Sequence, residues 1–322
     1  MMQLVSYHIQ LVVIFLIIVA VVQLLKRKGL FKDEFQEVFD RLVTEFALPV
    51  VIFSSLVAMT FRVEWIFHTA IFLSALTICA LVIYACCRLL RLPRKTTGAL
   101  ILVGTFGSTS TLGAPLISAV YGAESMAMTE GLVEGLLAIA IPISTAGILV
   151  AAYFGADEGA AGVGLPAAVR KFLFTPIFVA FAIGFALSLL LSSFHLGGAE
   201  IFAGVFQGFF EVLQQSLELL VWIAVGLMLR PPKAKTFLPL LGLVVLVKMV
   251  LQPVLVLTGA SAAGLPDLSQ DILLIEAAVP SGAIAAVIAD RYGCDGRIAA
   301  ALVVATYLVS LVTFPLIAFV IG

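Results

Sequence analysis

Two stretches of the chain decide its fold. Gly104 to Gly122 reads G-T-F-G-S-T-S-T-L-G-A-P-L-I-S-A-V-Y-G, and Glu276 to Gly293 reads E-A-A-V-P-S-G-A-I-A-A-V-I-A-D-R-Y-G. Aligned on their Tyr-Gly ends, Ser108-Thr109-Ser110-Thr111 falls opposite Val279-Pro280-Ser281-Gly282. Each cluster sits near the middle of an otherwise apolar segment, so a break is expected near Thr109 and near Pro280. A helix broken in lipid frees backbone groups that need partners, and such a break persists only where it is buried in protein or lines a cavity. Interrupted segments at matching positions of two halves point to the binding site of a secondary transporter.

Composition agrees with that setting. The chain has 322 residues, of which 62% are hydrophobic and 11% charged, with a mean hydropathy of +1.21. These values describe a polytopic, all-α membrane protein with the lipid bilayer as its surroundings. A net charge of -1 argues against a nucleic-acid partner. The cysteines Cys79, Cys86, Cys87 and Cys294 lie in or beside apolar segments without metal-ligand spacing, and read as small buried hydrophobes. No H-E-x-x-H motif is present, and no enzyme activity is expected.

A span needs about 20 apolar residues. Ten stretches qualify: 8–25, 44–61, 66–90, 97–121, 129–153, 171–193, 209–229, 237–258, 271–291 and 298–321. The fourth and ninth hold the breaks. Loops after the odd-numbered spans carry 16 of the 18 Lys and Arg residues; Arg62 and Lys248 are the exceptions. The positive-inside rule then makes those loops cytoplasmic and puts both termini outside. The Gly- and Ala-rich stretch 154–170 separates residues 1–153 from 171–322. Five spans per half force the second half to be inverted relative to the first. The reading is a five-plus-five inverted repeat with two broken, crossing helices.

The motifs F-G-S-T-S-T-L-G-A-P-L (Phe106–Leu116), V-P-S-G-A-I-A-A-V-I-A-D-R-Y-G-C-D (Val279–Asp295) and L-V-S-L-V-T-F-P-L (Leu308–Leu316) resemble the auxin efflux carrier family, the PIN-like transporters. The resemblance covers the whole chain. It implies a ten-helix fold shared with bile acid/sodium symporters, with a scaffold of spans 1, 2, 6 and 7 beside a moving transport domain of spans 3–5 and 8–10. One departure stands out. The family often places Asn beside the span 4 break, where it helps hold a substrate carboxylate, and this chain contains no Asn. Ser108 and Thr109 occupy that stretch, so auxin itself is not supported as substrate.

Ionisable groups inside spans are expensive and default to functional candidates. Glu276 lies about one turn before Pro280, at the carbonyl end of a half-helix, which favours cations. The resemblance to bile acid/sodium symporters implies a sodium ligand at this Glu. Glu134, at similar depth, and Gln252 are candidates to complete a cation site. Glu130 shares a helix face with Glu134 and reads as an interfacial charge. Lys248 either neutralises Glu276 or Glu134, or faces an organic anion; pairing is the favoured reading. Glu218 either faces the substrate cavity or an outer vestibule. His8, His68 and His195 lie near span ends without partners at metal spacing. The half-helix N-termini and the donors of Ser108, Thr109, Ser110, Thr111 and Ser281, beside Pro280, suit the carboxylate of a small, partly apolar organic acid.

The combined expectation is an elevator-type secondary transporter of small organic anions at the cell membrane, coupled to sodium or protons, with no cofactor beyond a sodium ion. A homodimer through the scaffold is the expected assembly. The alternatives are an uncoupled facilitative efflux carrier and a receptor on a transporter fold.

Overall fold

Lipid penalises unpaired backbone, and this chain meets that constraint with helices. The computed structural model describes residues 2–58, 63–123, 125–156, 169–170, 172–194 and 198–321. The helices in order are α1 (Met2–Arg27), α2 (Glu34–Arg41), α3 (Leu48–Ala58), α4 (Val63–Leu89), α5 (Arg94–Thr105), α6 (Ala114–Tyr121), α7 (Met126–Glu134) and α8 (Ile148–Gly155). They continue with α9 (Pro176–Phe194), α10 (Gly198–Met228), α11 (Ala234–Val244), α12 (Gln252–Ala262), α13 (Asp267–Ala278), α14 (Ala283–Arg291) and α15 (Gly296–Ile321). Among the described residues no strand occurs beyond a single isolated bridge between Gly107 and Ser281.

Among the described residues, five helical stretches are long and apolar enough to cross a bilayer: Met2–Arg27, Trp65–Leu89, Met126–Gly155, Ala234–Ala262 and Gly296–Val320. Pro176–Leu190 and Val212–Met228 are shorter apolar helices. Their outer faces stay apolar, with Ile17, Leu81, Val312 and Leu316 exposed, as lipid-facing surface requires. The chain is a multi-pass membrane protein. Residues 157–168, the greater part of the expected linker, and Arg62 and His195 lie outside the described residues.

Several helices run through widened, π-type turns: Leu42–Ala47, Thr109–Gly113, Gly135–Ala140, Ile143–Gly147 and Val245–Leu251. Four of these end two residues before a proline, at Pro49, Pro115, Pro142 and Pro253. Proline lacks an N–H and its ring crowds the preceding turn, so the helix widens ahead of it instead of breaking.

The helix ends that carry most of the basic residues are tied by polar contacts. Gln23 donates to the carbonyls of Gly226 and Leu229, at 2.6 and 2.9 Å, and Lys26 donates to Leu227 at 2.7 Å. These side chains satisfy carbonyls that the end of α10 leaves without helical partners. Asp33 bridges Lys26 and Arg230, and the hydrogen bond from Lys26 holds its carboxyl below the usual range. Nearby, Gln36 on α2 donates to Asp290 on α14 at 2.6 Å, and Arg291 pairs with Glu45. Asp40 is buried beside Asp290; burial, then the neighbouring Asp290 carboxyl, push it up to about 9.

Candidate functional site

The two breaks are held together by each other. After Thr105 the chain turns extended at Phe106, and after Ala278 it turns extended at Val279. Ser108 N–H donates to the Pro280 carbonyl and Gly282 N–H to the Phe106 carbonyl, both at 2.9 Å. The pairing is antiparallel. Each break thereby supplies the partners that the other has lost, which is why both survive at this depth. The first break centres on Gly107, slightly ahead of the expected Thr109, because Thr109–Gly113 winds into a widened turn before Pro115.

α15 fastens the crossing from one side. Ser108 Oγ and the Tyr307 hydroxyl are 2.7 Å apart, and Ser281 N–H donates to Thr306 Oγ1 at 3.3 Å. Neither Thr306 nor Tyr307 stood out in the sequence. Their signal was a polar Thr-Tyr pair inside an apolar span, about one turn before Ser310.

Glu276 is 1% exposed, and neither carboxylate oxygen has a hydrogen-bond partner. The carboxylate lies against the backbone of the widened turn: a Cβ added at Gly113 would sit 2.6 to 2.8 Å from its three carboxyl atoms. Gly113 is therefore the space that admits the carboxylate. Glu134, also buried, keeps both oxygens 3.2 Å from Thr69 Oγ1, a partner on α4 that sequence reading missed. Gln252 is fully buried with both side-chain polar atoms unpartnered. The structure thus assembles buried oxygen acceptors on packed helices α7, α12 and α13. Orphaned buried acceptors of this kind suit a hard monovalent cation, whose ligands are oxygens.

Lys248 sits in the widened turn ahead of Pro253 and is fully buried. Its ammonium donates to the Ala277 carbonyl at 2.9 Å, at the C-terminal end of α13. A Cβ at Gly107 would lie 2.9 Å from the same nitrogen. Lys248 forms no ion pair with Glu276 or Glu134 among the described residues. It interacts with Glu276 at longer range while capping the half-helix. A cation at a helix carbonyl end is a favourable arrangement in itself.

Glu130 differs from its sequence reading, while His8 and His68 take structural neighbours. Glu130 is buried, with Oε1 3.0 Å from His68 Nδ1, so it is no interfacial charge. His8 has its Nε2 3.0 Å from Ser310 Oγ and stacks on Phe314. Both rings have structural partners, and among the described residues no cluster of His, Cys, Asp and Glu could hold a metal ion.

A cavity of ≈ 420 Å³ opens beside the crossing. Ser108, Thr109, Ser110, Thr111 and Glu276 line it, as do Gly282 at the start of α14 and Glu218 and Trp222 from α10. Pro280 gives its carbonyl to the crossing and Ser281 its N–H to Thr306; neither faces the cavity. Glu134, Gln252 and Lys248 are buried and do not line it, so the candidate residues fall into two groups, a lining set and a buried set. The lining residues include no Lys, Arg or His; the rest of the surface is largely apolar, from Leu48, Ile52, Leu136 and Ile139 among others.

A family model described as membrane transport protein matches residues 7–158 and 164–318. No curated protein matches the chain.

Proposed function

Because the chain belongs to the membrane transport protein family, that of the auxin efflux carriers, we propose that it is a secondary active transporter of small organic anions coupled to a monovalent cation. Ten spans in two inverted halves, 1–153 and 171–322, form a scaffold from spans 1, 2, 6 and 7 and a transport domain from spans 3–5 and 8–10. The transport domain moves as an elevator against the scaffold, with odd-numbered loops cytoplasmic and both termini outside. The observation that carries the reading is Glu276: a buried carboxylate without a partner, seated at a crossing of two broken helices and facing a cavity.

The chemistry runs from the crossing outward. Backbone N–H groups at the start of α14 and the hydroxyls of the first break offer donors to a substrate carboxylate. Glu276, with Glu134 and Gln252 behind it, offers oxygens to sodium or a site for a proton. An uncompensated charge resists transfer through lipid, so the loaded domain crosses more readily than one carrying Glu276 alone. The apolar walls favour an organic acid with an apolar body.

Lys248 supports a second reading, facilitative transport without ion coupling, since it already brings a positive charge to the carbonyl end of α13. One experiment separates the two. The protein is reconstituted into proteoliposomes, and uptake of radiolabelled mono- and dicarboxylates is followed with and without sodium and pH gradients. Coupled transport concentrates the acid against its gradient when the ion gradient is present. Equilibration at the same rate under every gradient supports facilitation, and no uptake of any carboxylate removes the substrate assignment.

A further inference from the structure

Ser108 sits at the N-cap of the widened turn Thr109–Gly113, where a serine oxygen commonly accepts from a backbone N–H of the first turn. Here the side chain makes no such bond. Its Oγ is turned to the Tyr307 hydroxyl on α15 instead, 2.7 Å away. Tyr307 is fully buried, and its ring packs on Phe15 of α1 with centroids 4.0 Å apart. Among the described residues, Ser108 Oγ is the one hydrogen-bond partner of its hydroxyl. A buried O–H is rarely left without an acceptor, so the phenol proton goes to Ser108 Oγ. A serine hydroxyl can accept that bond and still have its own proton to donate. Among the described residues that proton has no second acceptor, and Ser108 lines the cavity beside the crossing.

We propose that Tyr307 is a positioning residue for the carboxylate site: it donates to Ser108 Oγ, withholds that oxygen from the backbone, and leaves the Ser108 proton for a ligand carboxylate. The inference rests on the organic-anion reading above and deepens it. Tyr307 is not among the residues lining the cavity, so it acts through Ser108. A hydroxyl that accepts one hydrogen bond donates a stronger one. Hydrogen bonds to an ionised acceptor are also roughly twice as strong as neutral ones, so the gain falls mainly on anions. The direction of the phenol is fixed by packing: Phe15 lies between Tyr307 and Trp222 on the cavity wall, at 4.0 and 5.6 Å between ring centroids. The neighbouring residue, Thr306, takes the Ser281 N–H of the second break, so adjacent positions on α15 hold both breaks in register.

The test uses the full chain in nanodiscs. Equilibrium binding of radiolabelled 3-methylbutanoate and succinate is measured, and thermal unfolding of the ligand-free protein is followed in parallel. The parent, Ser108→Ala, Tyr307→Phe and the double variant are compared with whichever acid the parent binds more tightly. Ser108→Ala should weaken binding about tenfold and Tyr307→Phe about fourfold, and the double variant should bind as Ser108→Ala does alone. Tyr307→Phe keeps the ring and its packing, so a lowered Tm with unchanged affinity makes the contact structural only and overturns the proposal. Equal weakening by Tyr307→Phe with and without Ser108 overturns it too, because the tyrosine then acts by another route. So does a Ser108→Ala variant that binds as tightly as the parent. Where Tyr307→Phe folds poorly, 3-fluorotyrosine is introduced in place of Tyr307, as a stronger donor of nearly the same size. It should tighten binding, and unchanged or weaker binding overturns the proposal. If the parent binds neither acid, the organic-anion reading itself falls, and the positioning role with it.

Discussion

Glu276→Gln keeps the shape of the side chain and removes its charge. On insertion scales a carboxylate at the bilayer centre costs roughly 2.5–3.5 kcal/mol, and in this site neither oxygen is offset by a hydrogen bond. The amide is therefore expected to leave the ion-free protein as stable as before or slightly more stable. The lost property is the response to the cation. A ligand that binds only the folded state adds about 2.7 kcal/mol at a concentration of 100 times its Kd. At roughly 2–4 °C per kcal/mol for mid-sized chains, that is a shift of about 5–10 °C in Tm. The assay is thermal unfolding of detergent-purified protein in sodium chloride against N-methylglucamine chloride at equal ionic strength, repeated across pH for the proton case. The parent protein should gain several degrees and the variant almost none. A variant that keeps the full cation-dependent shift would falsify the assignment of Glu276. A different failure is also informative. If Glu276 were the ion-pair partner of Lys248, its loss would strand a buried ammonium and cost about 3–5 kcal/mol. The hydrogen bond from Lys248 to the Ala277 carbonyl argues that this loss will not appear.

Gly113→Ala should act on the same site without touching a charge: the new methyl falls within 2.8 Å of the Glu276 carboxylate, and cation-dependent uptake should drop at least about tenfold while expression and fold persist. Lys248→Met keeps the stem but leaves the Ala277 carbonyl unpartnered, which should cost about 1–3 kcal/mol in denaturant unfolding. On α2, beside Asp290, Asp40 retains a proton up to about 9 in the folded protein and up to the ordinary carboxylate range when unfolded. Its stabilising contribution is full below that ordinary range and is lost as pH rises toward 9, by at most about 1.4 kcal/mol per pH unit. Asp40→Asn should flatten that slope in unfolding measured across this window, and an unchanged slope would reject Asp40 as its source.

The helical stretches and the paired interruptions were legible because lipid leaves few alternatives: long apolar runs must be helical, and Ser-Thr or Pro-Ser-Gly clusters inside them mark where helicity fails. Proximity across the fold was not legible. Nothing in local sequence says that Thr69 meets Glu134, that His68 meets Glu130, or that Tyr307 meets Ser108; those pairs depend on how helices rotate about their axes. Depth along the chain located Lys248 inside a span, but the favoured carboxylate partner was wrong, because the widened turn before Pro253 carries it to a backbone carbonyl instead. Glu218 was visible as a mid-membrane charge, and only the packing of α10 against the break assigns it to the cavity.

Adjacent residues on α13 turn opposite charges to opposite sides of the crossing. The Ala277 carbonyl receives the Lys248 ammonium beside Gly107, and Glu276 lies against Gly113 at the other end of the first break. A direct pair would have cancelled both charges and closed the site. Separation instead lets Lys248 serve the half-helix end, where a fixed positive charge is favourable whether or not an ion is bound, and leaves Glu276 without a partner. The same logic explains the neutral Gln252 and the hydroxyl of Thr69 in the buried set: each can contribute to an oxygen-lined site or a hydrogen bond without adding a second fixed cation. Under the proposed coupling, a bound cation meets Glu134 and Glu276 in their ionised forms beside a protonated Lys248, and these three groups together carry one negative charge. In that reading a single monovalent cation neutralises it, the smallest change that would let the proposed transport domain move.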